Sequence, residues 1–307
     1  MSDLKTKKRH LQKMKNAGVN WVRVDVRKPI ENCTYLFKAA HGIGLKVIGV
    51  IKSRTMLKGL GVDTEKYLPG SDWARKWGKS IEQAASALVP YIEIWQIDNE
   101  LNHPWHNPIP SINAQLATDI IESGVNALRS VSPNAKTAAN LFYEVKSPIS
   151  ILDIGVIQDE PFILKYKENL KDKIDILGLD IYRGTWHLGT PADYKNDLKR
   201  YHVLWGGDVM IMETGFCTGI LGRSEAHQAN HVKQVFNYLD NYIKNIPWFT
   251  GIMWYVYKSS HLGIPCENSF GLHKNDGFEE KQAWKEFEDC MKRYNQFGKI
   301  LGLTYHG

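Results

Sequence analysis

Two glutamates, Glu100 and Glu213, each close a short apolar run of strand type: YIEIWQIDNE (91–100) and DVMIMETGF (208–216). A carboxyl at the end of a hydrophobic strand rarely serves stability, because burying an unpaired charge is costly. Two such carboxyls, brought to one place from about a hundred residues apart, can divide a reaction between them. One protonates a leaving sugar oxygen, and the other attacks the carbon released, which is the division used in retaining glycoside hydrolysis. On a strand, alternate residues share a face. That rule groups Ile92, Ile94, Gln96, Asp98 and Glu100 together, and Val209 and Ile211 with Glu213.

The elements that must position these acids are legible as alternation. Strand-like runs stand at 19–26, 45–51, 92–97, 136–142, 174–182, 208–214 and 251–257. Between them lie amphipathic stretches at 31–44, 73–88, 113–131, 163–173, 191–205, 224–245 and 278–296. Strands alternating with helices imply a parallel sheet, and near-eightfold alternation over 307 residues implies one (β/α)8 barrel spanning 1–307. The chain opens with a helix, so only seven strands precede the last helical stretch. The segment KILGLTYHG (299–307) is then the expected eighth strand, because a seven-stranded barrel would leave two open edges. A chain that delivers the nominal first strand last is a circularly permuted barrel, with both ends on the face where the strand-to-helix loops gather.

Composition excludes several classes. With 43% hydrophobic and 23% charged residues the chain is an ordinary globular protein, not a disordered one. The net charge of +6 is dispersed, and the one basic cluster, KTKKRH (5–10), fits a single helix side, so no nucleic-acid partner is expected. No apolar run reaches membrane length, and no signal-peptide core stands at the start, so the chain as written reads as cytoplasmic, or secreted if a signal was removed. The four cysteines (33, 217, 266, 290) lack metal spacing and read as free thiols, with Cys217 a core residue rather than a second nucleophile. No compact His or acid motif suggests a metal, and no phosphate loop suggests a nucleotide, so no cofactor is expected.

In the residues around the two glutamates the chain resembles clan A of the retaining glycoside hydrolases, a superfamily of (β/α)8 barrels. Asn99-Glu100 in WQIDNELN matches the Asn-Glu pair ending that clan's fourth strand, and Glu213 in IMETGF matches the nucleophile ending its seventh. Arg23 in GVNWVRV fits the second strand, Tyr182 in LDIYRG the sixth and Trp254 in GIMWYVY the eighth. The resemblance implies Glu213 as nucleophile and Glu100 as acid/base. It implies that Arg23 and Tyr182 hold Glu213 ionised, that Asn99 bonds the sugar 2-hydroxyl, and that Trp254 floors a sugar ring. Arg23 could equally pair with Asp25. Trp105, Trp186 and Tyr257 are further platform candidates, and His103 and His106 could bond sugar hydroxyls. The implied activity is a retaining β-glycosidase acting on β-linked oligo- or polysaccharide. An endo-acting β-glycanase is favoured over an exo-acting β-galactosidase-like enzyme. A non-catalytic carbohydrate-binding barrel and an aldolase- or isomerase-type barrel are the competing readings.

Overall fold

A computed structural model describes residues 2–58, 60, 68–104, 112–144, 158–219, 222–260 and 265–307. Eight strands follow the apolar runs closely: β1 (Trp21–Val26), β2 (Lys46–Ile51), β3 (Ile94–Ile97), β4 (Lys136–Phe142), β5 (Ile176–Asp180), β6 (Asp208–Thr214), β7 (Phe249–Trp254) and β8 (Ile300–Thr304). The helices between them are α1 (Ser2–Asn16), α2 (Ile30–Gly42), α3 (Ser53–Met56), α4 (Asp72–Leu88), α5 (Ala114–Val131), α6 (Glu160–Leu170), α7 (Tyr194–Trp205), α8 (Glu225–Asn245) and α9 (Gln282–Tyr294). Helix starts obey local chemistry. Ser71, Asn113 and Ser224 each cap a first turn by accepting a backbone N–H with the side chain, at Ala74, Leu116 and His227.

The strands close in chain order into a barrel, every neighbouring pair parallel. The eighth strand is the segment expected to supply it. Strand β8 pairs with β7 on one side and with β1 on the other, where Trp21, Val22 and Arg23 face Gly302, Leu303 and Thr304. The chain therefore enters the barrel through α1 and completes it with its last strand.

Two apolar layers result from the period of two along each strand. Ile48, Ile94, Ala138, Ile176, Met210, Met212, Met253 and Ile300 fill the lumen. The opposite faces pack on the helices in one large cluster. Where lumen side chains are bulky, a neighbour gives way: a Cβ at Gly178 would lie 2.6 Å from the Met212 Cγ. On β6 the lumen residues are Met210 and Met212, while Val209 and Ile211 face the helices. Val209 and Ile211 thus do not share a face with Glu213, contrary to the simple alternation. The reason is a bulge. Ile211 pairs with Leu179 and Ile252, whereas Glu213 pairs with Asp180 and Thr214 with Trp254. One extra residue on β6 turns Glu213 inward above Met212.

A smaller cluster covers the C-terminal end of the barrel: Phe142, Tyr182, Cys217, Val256, Cys266 and Phe270, with Trp186 and Tyr255 against it. Cys217 and Cys266 are joined by a disulfide, which ties the segment after β6 to the segment after β7. This corrects the expectation of four free thiols; Cys33 and Cys290 are free and buried. No helix among the described residues is long and apolar enough to cross a membrane.

Candidate active site

The C-terminal mouth of the barrel gathers residues from five strands. Arg23 rises from β1, 1% exposed, and its guanidinium is divided among three acceptors. Nε donates to Gln96 Oε1 at 2.7 Å, Nη2 to Asn99 Oδ1 at 2.7 Å, and Nη1 to Glu213 Oε1 at 2.5 Å. The partner of Arg23 is thus Glu213, not Asp25, which pairs with Lys52 and Arg27 instead. The other Glu213 oxygen accepts from the Tyr182 hydroxyl at 2.5 Å.

Glu100 follows β3 in a backbone that leaves the strand. Asp98 and Glu100 both take positive φ, 62° and 48°. These are uncommon values for residues with a Cβ, and they need a surrounding structure that holds them. Here the Asn140 side chain accepts the Glu100 N–H at 3.1 Å, and Asp98 Oδ1 accepts the Asn99 N–H at 3.0 Å. The kinked segment delivers Glu100 to the mouth, 4% exposed. Carboxyl oxygens of Glu100, Asp180 and Glu213 all lie within 4.8 Å of one another.

Environment drives these acids apart. Burial, with the Glu213 charge added, pushes the Glu100 carboxyl up to about 8, against partial relief from Asp180, Arg23 and Lys52. Burial also works to raise Glu213, but Arg23, the Tyr182 hydroxyl and Lys52 outweigh it and hold Glu213 below the ordinary glutamate value. Asp180 is pushed well above the usual carboxylate range, by burial first and then by Glu213 and Glu100. The mouth therefore draws one carboxyl toward its ionised form and two toward their protonated forms. Three acids so close could suggest a bound cation. Both Glu213 oxygens already accept from Arg23 and Tyr182, however, and a guanidinium charge within the group disfavours a second cation there.

The mouth's wall is partly aromatic, and here two expectations fail. Trp254 is wholly buried on the helix side of β7, against His231 and Phe287. It cannot floor a sugar. Along β7 Met253 faces the lumen, so the next residue on that face is Tyr255, one position later. Tyr255 is half-buried, edge-on to Tyr182 and Phe270, and donates its hydroxyl to Glu267 Oε2 at 3.2 Å. Tyr257 is likewise buried, its hydroxyl donating to Gly277 O at 2.8 Å, and is no platform. Trp186 does stand at the mouth, tilted over Phe270 at 6.1 Å. His103 is buried with its ring against Phe142 at 4.7 Å. Trp105 and His106 lie outside the described residues.

Several members of this site receive no role from the sequence, although alternation places Gln96 on the Glu100 face of its strand. Gln96 and Asn140 are the amides that lock Arg23, Asn99 and Glu100 together. Asn99 Oδ1 accepts from Arg23, Gln96 and Asn140 alike. Asp180 stands two residues before Tyr182 on the face shared with Gly178, a parity that could have flagged it. His306, beyond β8, brings its ring 5.5 Å from Tyr255 and its Nδ1 3.9 Å from Asp25 Oδ2. Burial lowers it to about 4, so it is neutral at physiological pH.

The fold is that of glycoside hydrolase barrels of known structure. The chain is similar to a GH5_18 variant from Streptomyces cattleya crystallised with Manβ1-4GlcNAc: TM-score 0.72, 15% identity, covering 95% of this chain and 76% of that one. It is similar to the β-glycosidase BGL167, with TM-score 0.71, 12% identity and coverage of 94% and 85%. The GH53 catalytic domain of Ignisphaera aggregans matches with TM-score 0.61, 16% identity and coverage of 90% and 86%. At such identities the likeness is one of fold. No protein-family model matches the chain, and no curated protein sequence matches it.

Proposed function

We propose that the protein is a retaining β-glycoside hydrolase with Glu213 as nucleophile and Glu100 as acid/base. One observation carries the reading. Two carboxyls at the barrel mouth lie no more than 4.8 Å apart, one held ionised by Arg23 and Tyr182, the other held protonated to about pH 8. Retaining enzymes hold their two carboxyls about 5–5.5 Å apart, whereas inverting enzymes leave room for a water. In the first step the Glu213 carboxylate attacks the anomeric carbon while the Glu100 proton passes to the departing oxygen. Once the glycosyl ester forms, the Glu213 charge is gone, so Glu100 can accept a proton from water in the second step. Asn99, its Oδ1 held by three donors, is the residue assigned to the sugar 2-hydroxyl beside the nucleophile.

The finer reading is an endo-acting β-glycanase on β-linked polysaccharide. It draws support from two partly exposed aromatics at the mouth, Trp186 and Tyr255, both packed on the buried Phe270. An exo-acting β-galactosidase-like activity is the alternative. The circular permutation is part of the proposal. If β8 is counted first, Arg23, Glu100, Tyr182 and Glu213 fall on or just beyond the second, fourth, sixth and seventh strands, as the clan resemblance requires. The Cys217–Cys266 disulfide favours an oxidising compartment over the cytoplasm.

A panel of aryl β-glycosides and β-linked polysaccharides, assayed for released sugar, tests the activity. Glu213→Ala should lose turnover, and azide should restore part of it with inverted product. Undiminished turnover in Glu213→Ala would remove the nucleophile assignment.

A further inference from the structure

We infer that Asp180 acts as a neutral carboxylic acid, its proton on Oδ1, donating to Glu100 and so positioning the acid/base and stabilising its carboxylate form. One donor in the network has a certain identity. The backbone N–H of Glu100 can only donate, and it points at Asn140, which fixes that atom as the amide oxygen. Gln96 confirms the assignment independently. Its Oε1 must be the oxygen because it accepts from Arg23 Nε, so its Nε2 is the nitrogen, and that nitrogen donates to the same Asn140 oxygen at 2.8 Å. Asn140 Nδ2 is then a nitrogen, and it donates to Asp180 Oδ2. Oδ2 is therefore the acceptor end of Asp180.

The other oxygen, Oδ1, is buried and takes no amide, hydroxyl or guanidinium donor among the described residues. A buried carboxylate oxygen left without a donor is costly. What Asp180 does meet is the carboxyl of Glu100, within hydrogen-bonding reach. Two carboxyls can hydrogen-bond only if one carries a proton. The Glu100 proton is the one pledged to the leaving oxygen, so the proton between the pair is that of Asp180, and with Oδ2 engaged by Asn140 it is assigned to Oδ1. The charges facing the pair are Arg23 from β1, Lys52 beyond β2 and Glu213 from β6. The ionised Glu213 opposes a second anion at Asp180, as does the burial of Asp180, which is 0% exposed.

The catalytic consequence rests on the glycosidase reading. When Glu100 gives its proton to the leaving oxygen, it becomes a carboxylate in a nearly enclosed site, and the Asp180 O–H is the donor turned toward it. The Asp180 proton stays on Asp180 throughout. It lowers the cost of the carboxylate form between the two steps and holds the acid in place for each.

The test separates this inference from the activity itself. Asparagine is the isosteric image of a protonated Asp180, with its oxygen toward Asn140 and its nitrogen toward Glu100. In the infrared difference spectrum of wild type against Asp180→Asn at pH near 7, a protonated-carboxyl band should be lost. Loss of a carboxylate band instead overturns the inference. Should the variant not fold, wild-type protein carrying 13C at aspartate Cγ must show one aspartic carboxyl still protonated at that pH; none overturns it. On an aryl β-glycoside, Asp180→Asn should leave the alkaline limb of kcat/KM in place. An anionic Asp180 this close would raise Glu100 by about 1–3 units, so a downward shift of that size on substitution also overturns it. Absence of turnover in every form bears on the glycosidase reading, while the spectra decide the protonation of Asp180 alone.

Discussion

Replacing Arg23 by methionine removes the cation that keeps Glu213 ionised. The two side chains meet at 2.5 Å with Arg23 1% exposed, so solvent screens the pair little. An opposite charge at such range lowers a carboxyl by about 1–3 units, equivalent to about 1.4–4 kcal/mol of preference for the carboxylate. In the methionine variant burial acts on Glu213 with less opposition, and its titration rises by about 1–3 units. The sign follows from the role. The nucleophile works ionised, so activity fails on the acid side as pH falls through the Glu213 titration. Raising that titration moves the acidic limb of kcat/KM upward; the alkaline limb, set by Glu100 near 8, also moves up but by less, because Arg23 is a smaller influence on Glu100 than burial, Glu213 and Asp180. Arg23→Lys is the control: it keeps a positive charge while losing the links to Gln96 and Asn99, and its acidic limb should move by less than about one unit. Breaking a buried ion pair also destabilises a protein by about 3–5 kcal/mol, so circular dichroism must first establish that each variant is folded at the assay temperature. Initial rates on an aryl β-glycoside over a wide pH range give the limbs. A folded methionine variant with the wild-type acidic limb would refute the reasoning, because Glu213 would then owe its ionisation to something other than Arg23.

Three further outcomes are expected. Trp254→Ala should lower stability by about 3–5 kcal/mol in denaturant titration with KM unchanged, while Tyr255→Ala should raise KM at nearly unchanged stability; the reverse pattern would restore Trp254 as the platform. An unreduced peptide map should link the peptides holding Cys217 and Cys266, and Cys33 and Cys290 should react with an alkylating reagent only after unfolding. Linked peptides of any other pairing would contradict the disulfide. Removal of residues 299–307 should abolish cooperative unfolding, because β1 and β7 lose their shared partner; a deletion product with native near-ultraviolet dichroism would show the barrel does not need that strand.

Most of the architecture was legible because it rests on local rules. Strand β6 (208–214) and strand β4 (136–142) coincide with their apolar runs, and helix α5 begins one residue after the Asn113 that caps it. The closing strand was legible by counting, since an open barrel edge is unfavourable. What failed was parity carried past a local irregularity. Strict alternation put Val209 and Ile211 with Glu213, but the extra residue at Met212–Glu213 breaks the alternation, and no turn residue in DVMIMET announces it. Trp254 drew attention by type, although its position put it with Ile252 against the helices and gave the mouth to Tyr255. The disulfide joins cysteines 49 residues apart on two loops, a proximity that only the closed barrel creates. Parity could have flagged the place of Asp180 but not its role, which lies in the direction of the Asn140 amide and so depends on a backbone N–H forty residues away from Asn140 in the chain.

The pairing of β1 with β8 gives the seam of the barrel an unusual timing. Arg23, opposite Thr304 in that seam, is synthesised about 280 residues before its neighbour strand. A nascent chain emerging from the ribosome would therefore expose every acid of the mouth before the cylinder could shut. The partly built sheet would meet the cell with two raw margins, β1 and β7, and its burden on chaperones should fall sharply only once β8 has been translated.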